Sequence, residues 1–212
     1  TTDIITLGSG ATLAVTNVNA TLGDAATSLV LPSAVDLTVA AGRSESGVTV
    51  AAIDLTTLTT AKATSITLGG TGVDVATGLE YVAAIDIATL VSAKLTDLTI
   101  DLDQGNVTLG TVTAAKLASV TVTGDNALSF GAAGGTTTAL ASFDASTATG
   151  AVTIGTAIDF TTSANVKTGT ANDTVTLDVL AEANITLEMG AKLGDNDTLA
   201  ISGANNMGLT VI

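Results

Sequence analysis

One sixteen-residue pattern is written three times in this chain, at 53–68, 85–100 and 107–122, and it constrains the fold more than any other feature. Aligned on Lys62, Lys94 and Lys116, each copy has an alanine just before the lysine and large aliphatic residues at fixed offsets on both sides. Upstream lie Ile53/Leu55, Ile85/Ile87 and Val107/Leu109, then Leu58, Leu90 and Val112; downstream lie Ile66/Leu68, Leu98/Ile100 and Val120/Val122. An apolar residue at every second place of a triplet marks a short strand with two side chains inward and one outward. A unit of about 22 residues holding two such triplets cannot close a core alone, but it can when coil is laid on coil. The pattern therefore predicts an all-β parallel β-helix, a solenoid with coils of about 22–24 residues, right-handed by the usual rule for parallel crossovers.

The remaining chain uses the same vocabulary, so 1–212 reads as a single β-solenoid domain. Residues 1–50 form irregular first coils, with triplets such as Leu29-Val30-Leu31 and Leu37-Thr38-Val39, and the one proline, Pro32, stops the first of these. Regular coils occupy 51–145 and include a degraded fourth copy, with Phe130 and Phe143 in the two strand slots, Ala139 in place of the lysine and a flexible corner over 131–138. Over 146–212 a second repeat has a step of 24 residues: Asp173-Thr174-Val175-Thr176-Leu177 recurs as Asp197-Thr198-Leu199-Ala200-Ile201, and Ile185-Thr186-Leu187 as Leu209-Thr210-Val211. No polar cap follows the last core strand at Ile212; solenoid ends need covering, which predicts a longer native chain or ends that meet other subunits.

Composition excludes several chemistries. Six basic residues against twenty acidic ones give a net charge of −14, which disfavours nucleic-acid phosphate, and 2% aromatics leave no stacking platform for bases or sugar rings. Without cysteine there is no disulfide or thiolate, and without histidine the usual neutral-pH base and zinc ligand are missing. No run of eighteen apolar residues predicts membrane insertion. A β-helical polysaccharide-active enzyme with paired carboxylates is the third choice, because the chain has one arginine and almost no aromatic subsite; the expectation is that it is not an enzyme.

Aspartate supplies most of the candidate chemistry. Asp173 and Asp197 fall at equivalent places on adjacent coils, as do Asp54 and Asp86, and stacking would bring each pair to about 5 Å. Two bare carboxylates at that separation repel by roughly 1–3 kcal/mol, and a cation between them reverses the sign. Asp101 and Asp103, followed by Gly105 and Asn106, form a compact oxygen cluster, and Asp195 precedes Asp197 in a second acidic turn. The three lysines should stack at one corner, solvated and paired with a nearby carboxylate such as Asp97. Thr67, Thr99 and Thr121 should form an outward ladder, one threonine wide and so narrower than the Thr-x-Thr array that ice binding requires.

Residues 69–77, Gly-Gly-Thr-Gly-Val-Asp-Val-Ala-Thr, fit the glycine-rich nonapeptide of RTX proteins at every fixed place except Ala76, and 169–175 and 194–199 look like degraded units of the same kind. With the Thr/Ala/Gly/Asp-rich, cysteine-free composition, the chain resembles bacterial surface-layer proteins and large adhesins of the RTX type. The resemblance implies a turn in which Gly70, Gly72 and Asp74 hold calcium, calcium-dependent folding outside the cell, and self-association into a lattice or fibre at the cell surface, with a cell-surface polysaccharide as anchor. An adhesin or passenger stalk presenting a binding domain outside this sequence is the alternative.

Overall fold

The computed structural model describes residues 28–31, 36–39, 53–69, 84–103, 105–131, 135–155, 160–178, 184–190, 196–202 and 208–212. Gly70, Gly72, Asp74 and Asp195, like the triplet at 11–13 and the turn at 40–47, lie outside the described residues. Eighteen strands and no helix occur among the described residues. In chain order they are β1 (Ser28–Leu31), β2 (Asp36–Val39), β3 (Ile53–Leu55), β4 (Thr57–Thr60), β5 (Ser65–Gly69), β6 (Ile85–Ser92), β7 (Asp97–Asp101), β8 (Val107–Thr113) and β9 (Ser119–Thr123). There follow β10 (Leu128–Phe130), β11 (Gly135–Thr136), β12 (Leu140–Asp144), β13 (Val152–Ile154), β14 (Phe160–Lys167), β15 (Thr174–Asp178), β16 (Asn184–Glu188), β17 (Thr198–Ser202) and β18 (Gly208–Val211).

Every pairing among the described residues is parallel, and the strands fall into two sheets. One runs β1-β4-β6-β8-β10-β13-β15-β17, with β3 beside β6 and β11 beside β8; the other runs β18-β16-β14-β12-β9-β7-β5-β2. Successive strands of a sheet come from successive coils, so the fold is a parallel β-solenoid. The three copies stack as their spacing predicts: Ile53 on Ile85 on Val107, and Ile66 on Leu98 on Val120. Phe130 follows Leu109 and Phe143 follows Val120, which places the fourth copy in the same columns. The 24-residue repeat is also in register, Val175 with Leu199 and Ile185 with Leu209. Coil length varies around these values, from a step of 32 between Ile53 and Ile85 to 20 between Leu140 and Phe160.

Period two explains the burial. Along β7 the order is exposed, buried, half-buried, buried, half-buried, with Leu98 and Ile100 inward. Inward residues of all coils join one continuous apolar core from Leu29 to Leu187. Thr, Val and Ile recur in the strands because a branched Cβ suits a pleated surface. Corners demand the opposite property: Gly69 has φ 93 and lies so close to the next coil that a Cβ would run into the Asp101 carbonyl.

Two departures from the expected plan have local causes. The corner expected over 131–138 contains a strand: Gly135-Thr136 pairs with Val112-Thr113, and the glycine fits there because a side chain would meet the Val112 backbone. In β14 the register slips, Leu140 pairing with Phe160 but Ser142 with Asn165, so a bulge absorbs the extra residues and the columns resume.

One inward column is polar. Thr60 and Ser92 are buried at 1% and 2% exposure, stack on each other, and neither hydroxyl has a hydrogen-bond partner. Thr60→Val should keep the branched shape and remove the unmet hydroxyl, raising stability by up to about 1 kcal/mol in chemical unfolding. A loss instead would reveal a water bridging the pair.

Candidate functional site

The acidic corners consist of residues that stack, and their hydrogen bonds decide what they can do. The inward column that opens the first sheet runs Ile53, Ile85, Val107, Leu128, Val152, and the pairing of Thr153 with Thr174 puts Asp173 next beneath it. In this column the N–H groups of Ile53, Ile85, Val107 and Leu128 donate to the carbonyls of Ala84, Asn106, Ala127 and Ala151 on the following coil. At the next rung the Val152 N–H donates to Asp173 Oδ1 (2.8 Å), and the Asp173 N–H in turn donates to Asp197 Oδ1 (2.9 Å). Thus a carboxylate oxygen stands in for the backbone carbonyl. Asp173 and Asp197 do stack, but each directs Oδ1 at the backbone of the coil before it.

Asp173 is buried at 0% exposure, whereas Asp197 is exposed. Asp173 Oδ2 and the buried Thr168 Oγ1 both lack hydrogen-bond partners. Burial pushes the Asp173 carboxyl above the usual carboxylate range, and the Asp197 charge adds to the rise. Opposing the rise are the Val152 N–H foremost, then the nearby Thr168 hydroxyl and last the Gly169 N–H. A carboxyl so placed can hold a proton or accept a cation on Oδ2.

The structure brings Asp101 and Asp103 together at one corner. Asp101 stacks between Gly69 and Thr123, and its Oδ1 accepts the Asp103 N–H at 3.1 Å, a local turn closed by the side chain. From the next coil, Gly124 at φ 97 packs against Asp103, while Asn126 Nδ2 donates to the Leu102 carbonyl (2.7 Å) and to Asp125 Oδ1 (3.0 Å). Asn106 Oδ1 accepts the Ala127 N–H at 2.9 Å. Oxygen-rich and partly exposed, this corner suits a hard cation in chemistry. No three carboxylates converge into a cage among the described residues. Asp54 and Asp86 also stack, on the outward face of the first sheet.

The lysine column is where the sequence predicts it but is not paired as expected. The Thr96 N–H donates to the Thr64 carbonyl and the Ala118 N–H to the Thr96 carbonyl, which sets Lys62, Lys94 and Lys116, each two places earlier, one above another. All three are exposed. The expected Asp97 partner is otherwise engaged: Asp97 Oδ1 accepts the Ser119 hydroxyl (2.6 Å) and Oδ2 the Thr96 hydroxyl (2.7 Å). These two bonds, the Ser119 one foremost, hold its carboxyl below the usual range. Among the described residues the one ion pair is Lys167 Nζ–Glu188 Oε2, 3.1 Å, elsewhere on the second sheet.

One polar column was read only in part. Thr67, Thr99 and Thr121 form the expected ladder, but the column continues as Asp144, Lys167 and Glu188. Asp144 is held low by the Ser146 hydroxyl and N–H and then by the Lys167 charge, and Lys167 is raised chiefly by Glu188. The 3-residue slip in β14 hid this alignment, since no constant step connects Asp144 to Lys167 and onward to Glu188. The clamp on Asp97 was legible: the repeat places Ser65, Asp97 and Ser119 in one outward column, a hydroxyl one coil from a carboxylate.

No helix among the described residues is long and apolar enough to cross a membrane. Compared with protein-family models, curated proteins and solved structures, the chain matches none of them.

Proposed function

We propose that this is a structural, self-assembling extracellular protein, a subunit of a surface layer, fibre or sheath, stabilised by calcium at its acidic corners and anchored to the cell surface. The observation that carries the reading is the ladder itself. Each coil offers the next a parallel edge and an apolar interior, so the arrangement propagates by addition of like units. Among the described residues, β17 and β18 each pair on one side only, and Ile201, Val211 and Ile212 are exposed on that coil at 50%, 55% and 74%. Such an edge can accept a parallel strand of a second subunit, which would cover them. The outward columns support a structural role as well: the Ser119 hydroxyl on Asp97 and the Lys167–Glu188 ion pair each tie one coil to the next.

Calcium enters through the Asp101/Asp103 corner, through Asp173 and Asp197, and through the resemblance at Gly70, Gly72 and Asp74. With calcium present, electron microscopy should show ordered sheets or fibres, and a chelator should dissolve them. The thermal midpoint of the dispersed chain should fall with chelation by the equivalent of about 2–3 kcal/mol, as expected for a ligand at a hundredfold over its Kd. A monomer indifferent to calcium in both measurements would favour the stalk of an adhesin, which only presents a neighbouring domain.

A further inference from the structure

Among the described residues, the line of three lysines is where this acidic chain concentrates positive charge. Half of its six basic residues, Lys62, Lys94 and Lys116, stand in a single exposed column along the solenoid axis, in a chain of net charge −14. Their spacing is set by the ladder at about 4.8 Å per coil. Each follows an exposed alanine (Ala61, Ala93 and Ala115). The carboxylate nearest in sequence, Asp97, spends both oxygens on the Ser119 and Thr96 hydroxyls, and none of the three lysines takes part in an ion pair among the described residues.

From this geometry we infer that the Lys62/Lys94/Lys116 column is a docking line for an unbranched polyuronate lying along the solenoid axis, one carboxylate to each lysine. An extended pyranose chain carries one carboxylate per ring, and one ring is close in length to one coil rise. Register between ligand and protein is therefore kept over three consecutive contacts, where a mismatched polymer would fall out of step. Beside the lysines, the exposed Thr64 carries a hydroxyl group of the kind that matches ring hydroxyls. Duplex nucleic acid fits worse: its charges come every ~1.7 Å, and the acids of the chain repel so dense a polyanion. At physiological salt the Debye length of about 8 Å confines the contest to the column itself, so the net charge of the whole chain does not prevent a local match.

The inference rests on the cell-surface reading, to which it adds the chemistry of the anchor. Affinity electrophoresis of the whole chain through gels containing polygalacturonate tests it, with chelator present so that calcium cannot bridge two acidic partners. Retardation is expected at low salt, weakening as salt rises. The triple variant Lys62→Ala, Lys94→Ala, Lys116→Ala should bind at least tenfold more weakly, while Lys167→Ala, which removes a paired lysine, should bind as the parent does. Fully methyl-esterified polymer and a DNA duplex should not retard the chain. Equal retardation of parent and triple variant, no retardation of the parent, or preference for DNA would overturn the inference. Assembly is scored separately by microscopy. Lost retardation with intact lattices counts against the docking line alone, and lost lattices with intact retardation count against the assembly reading alone.

Discussion

Asp173→Asn should make the protein more stable near neutral pH, by about 1–3 kcal/mol, and should flatten its dependence on pH. Asparagine keeps Oδ1 as acceptor for the Val152 N–H and supplies an amide donor where Oδ2 now faces no partner. It also removes the charge that burial disfavours and that Asp197 opposes. The sign for the parent protein follows from linkage. The folded-state pKa lies above the unfolded value of about 3.9, so the native state holds more protons than the unfolded state between the two values. Stability is therefore highest below about pH 3.9 as far as this group is concerned, and it falls as pH rises through the folded pKa. Unfolding of both proteins in denaturant at a series of pH values measures this contribution. Exchange of the Val152 amide gives a local readout, since a solenoid need not unfold as one unit. Should the Asp173→Asn substitution cost stability in the presence of calcium but not in chelator, the carboxylate charge would be serving a bound cation.

Phe143→Ala should cost about 3–5 kcal/mol, the largest loss expected from a single truncation here. Phe143 and Phe130 are fully buried on opposite sheets of the same coil and meet across the interior with centroids 5.5 Å apart and planes tilted by 56°. That coil is also the one in which the column Leu29, Leu58, Leu90, Val112 ends in a glycine, Gly135. Truncation of a fully buried ring leaves a void in a close-packed interior. Chemical unfolding gives the magnitude. Hydrogen exchange should place the damage in β9, β12 and β14, with little change at β5 or β16, because each coil touches only its neighbours. A cost below about 1.5 kcal/mol would mean that the coil collapses onto the gap.

The plan of the fold was legible because in a parallel stack register is written as repetition. Ile53, Ile85 and Val107 are alike in the sequence because they are neighbours in space, and so are the three lysines. Phe130 and Phe143 could be placed despite a degraded copy, since a large apolar residue at the right offset suffices. The candidate site was less legible, for reasons that differ by residue. Asp173 reads as a turn residue before a triplet; that it enters an aliphatic column depends on its alignment with Val152, 21 places earlier, whereas its own repeat with Asp197 has a step of 24. Side-chain hydrogen bonds decided the rest. Asp97 takes hydroxyls on its own and the next coil instead of Lys94; the repeat puts Ser119 in its column, but spacing alone leaves both kinds of partner within reach. Gly70, Gly72, Asp74 and Asp195 stay at the level of motif.

The steps between paired residues range from 20 to 32, yet the columns meet in register on both sides of every irregularity. Length is thus a heritable variable that costs the ancestor little. An in-frame duplication or deletion of one unit adds or removes a rung whose upper and lower surfaces already match their new neighbours. A gene of this design can grow or shorten in whole turns, and its descendants can differ in reach before they differ in chemistry.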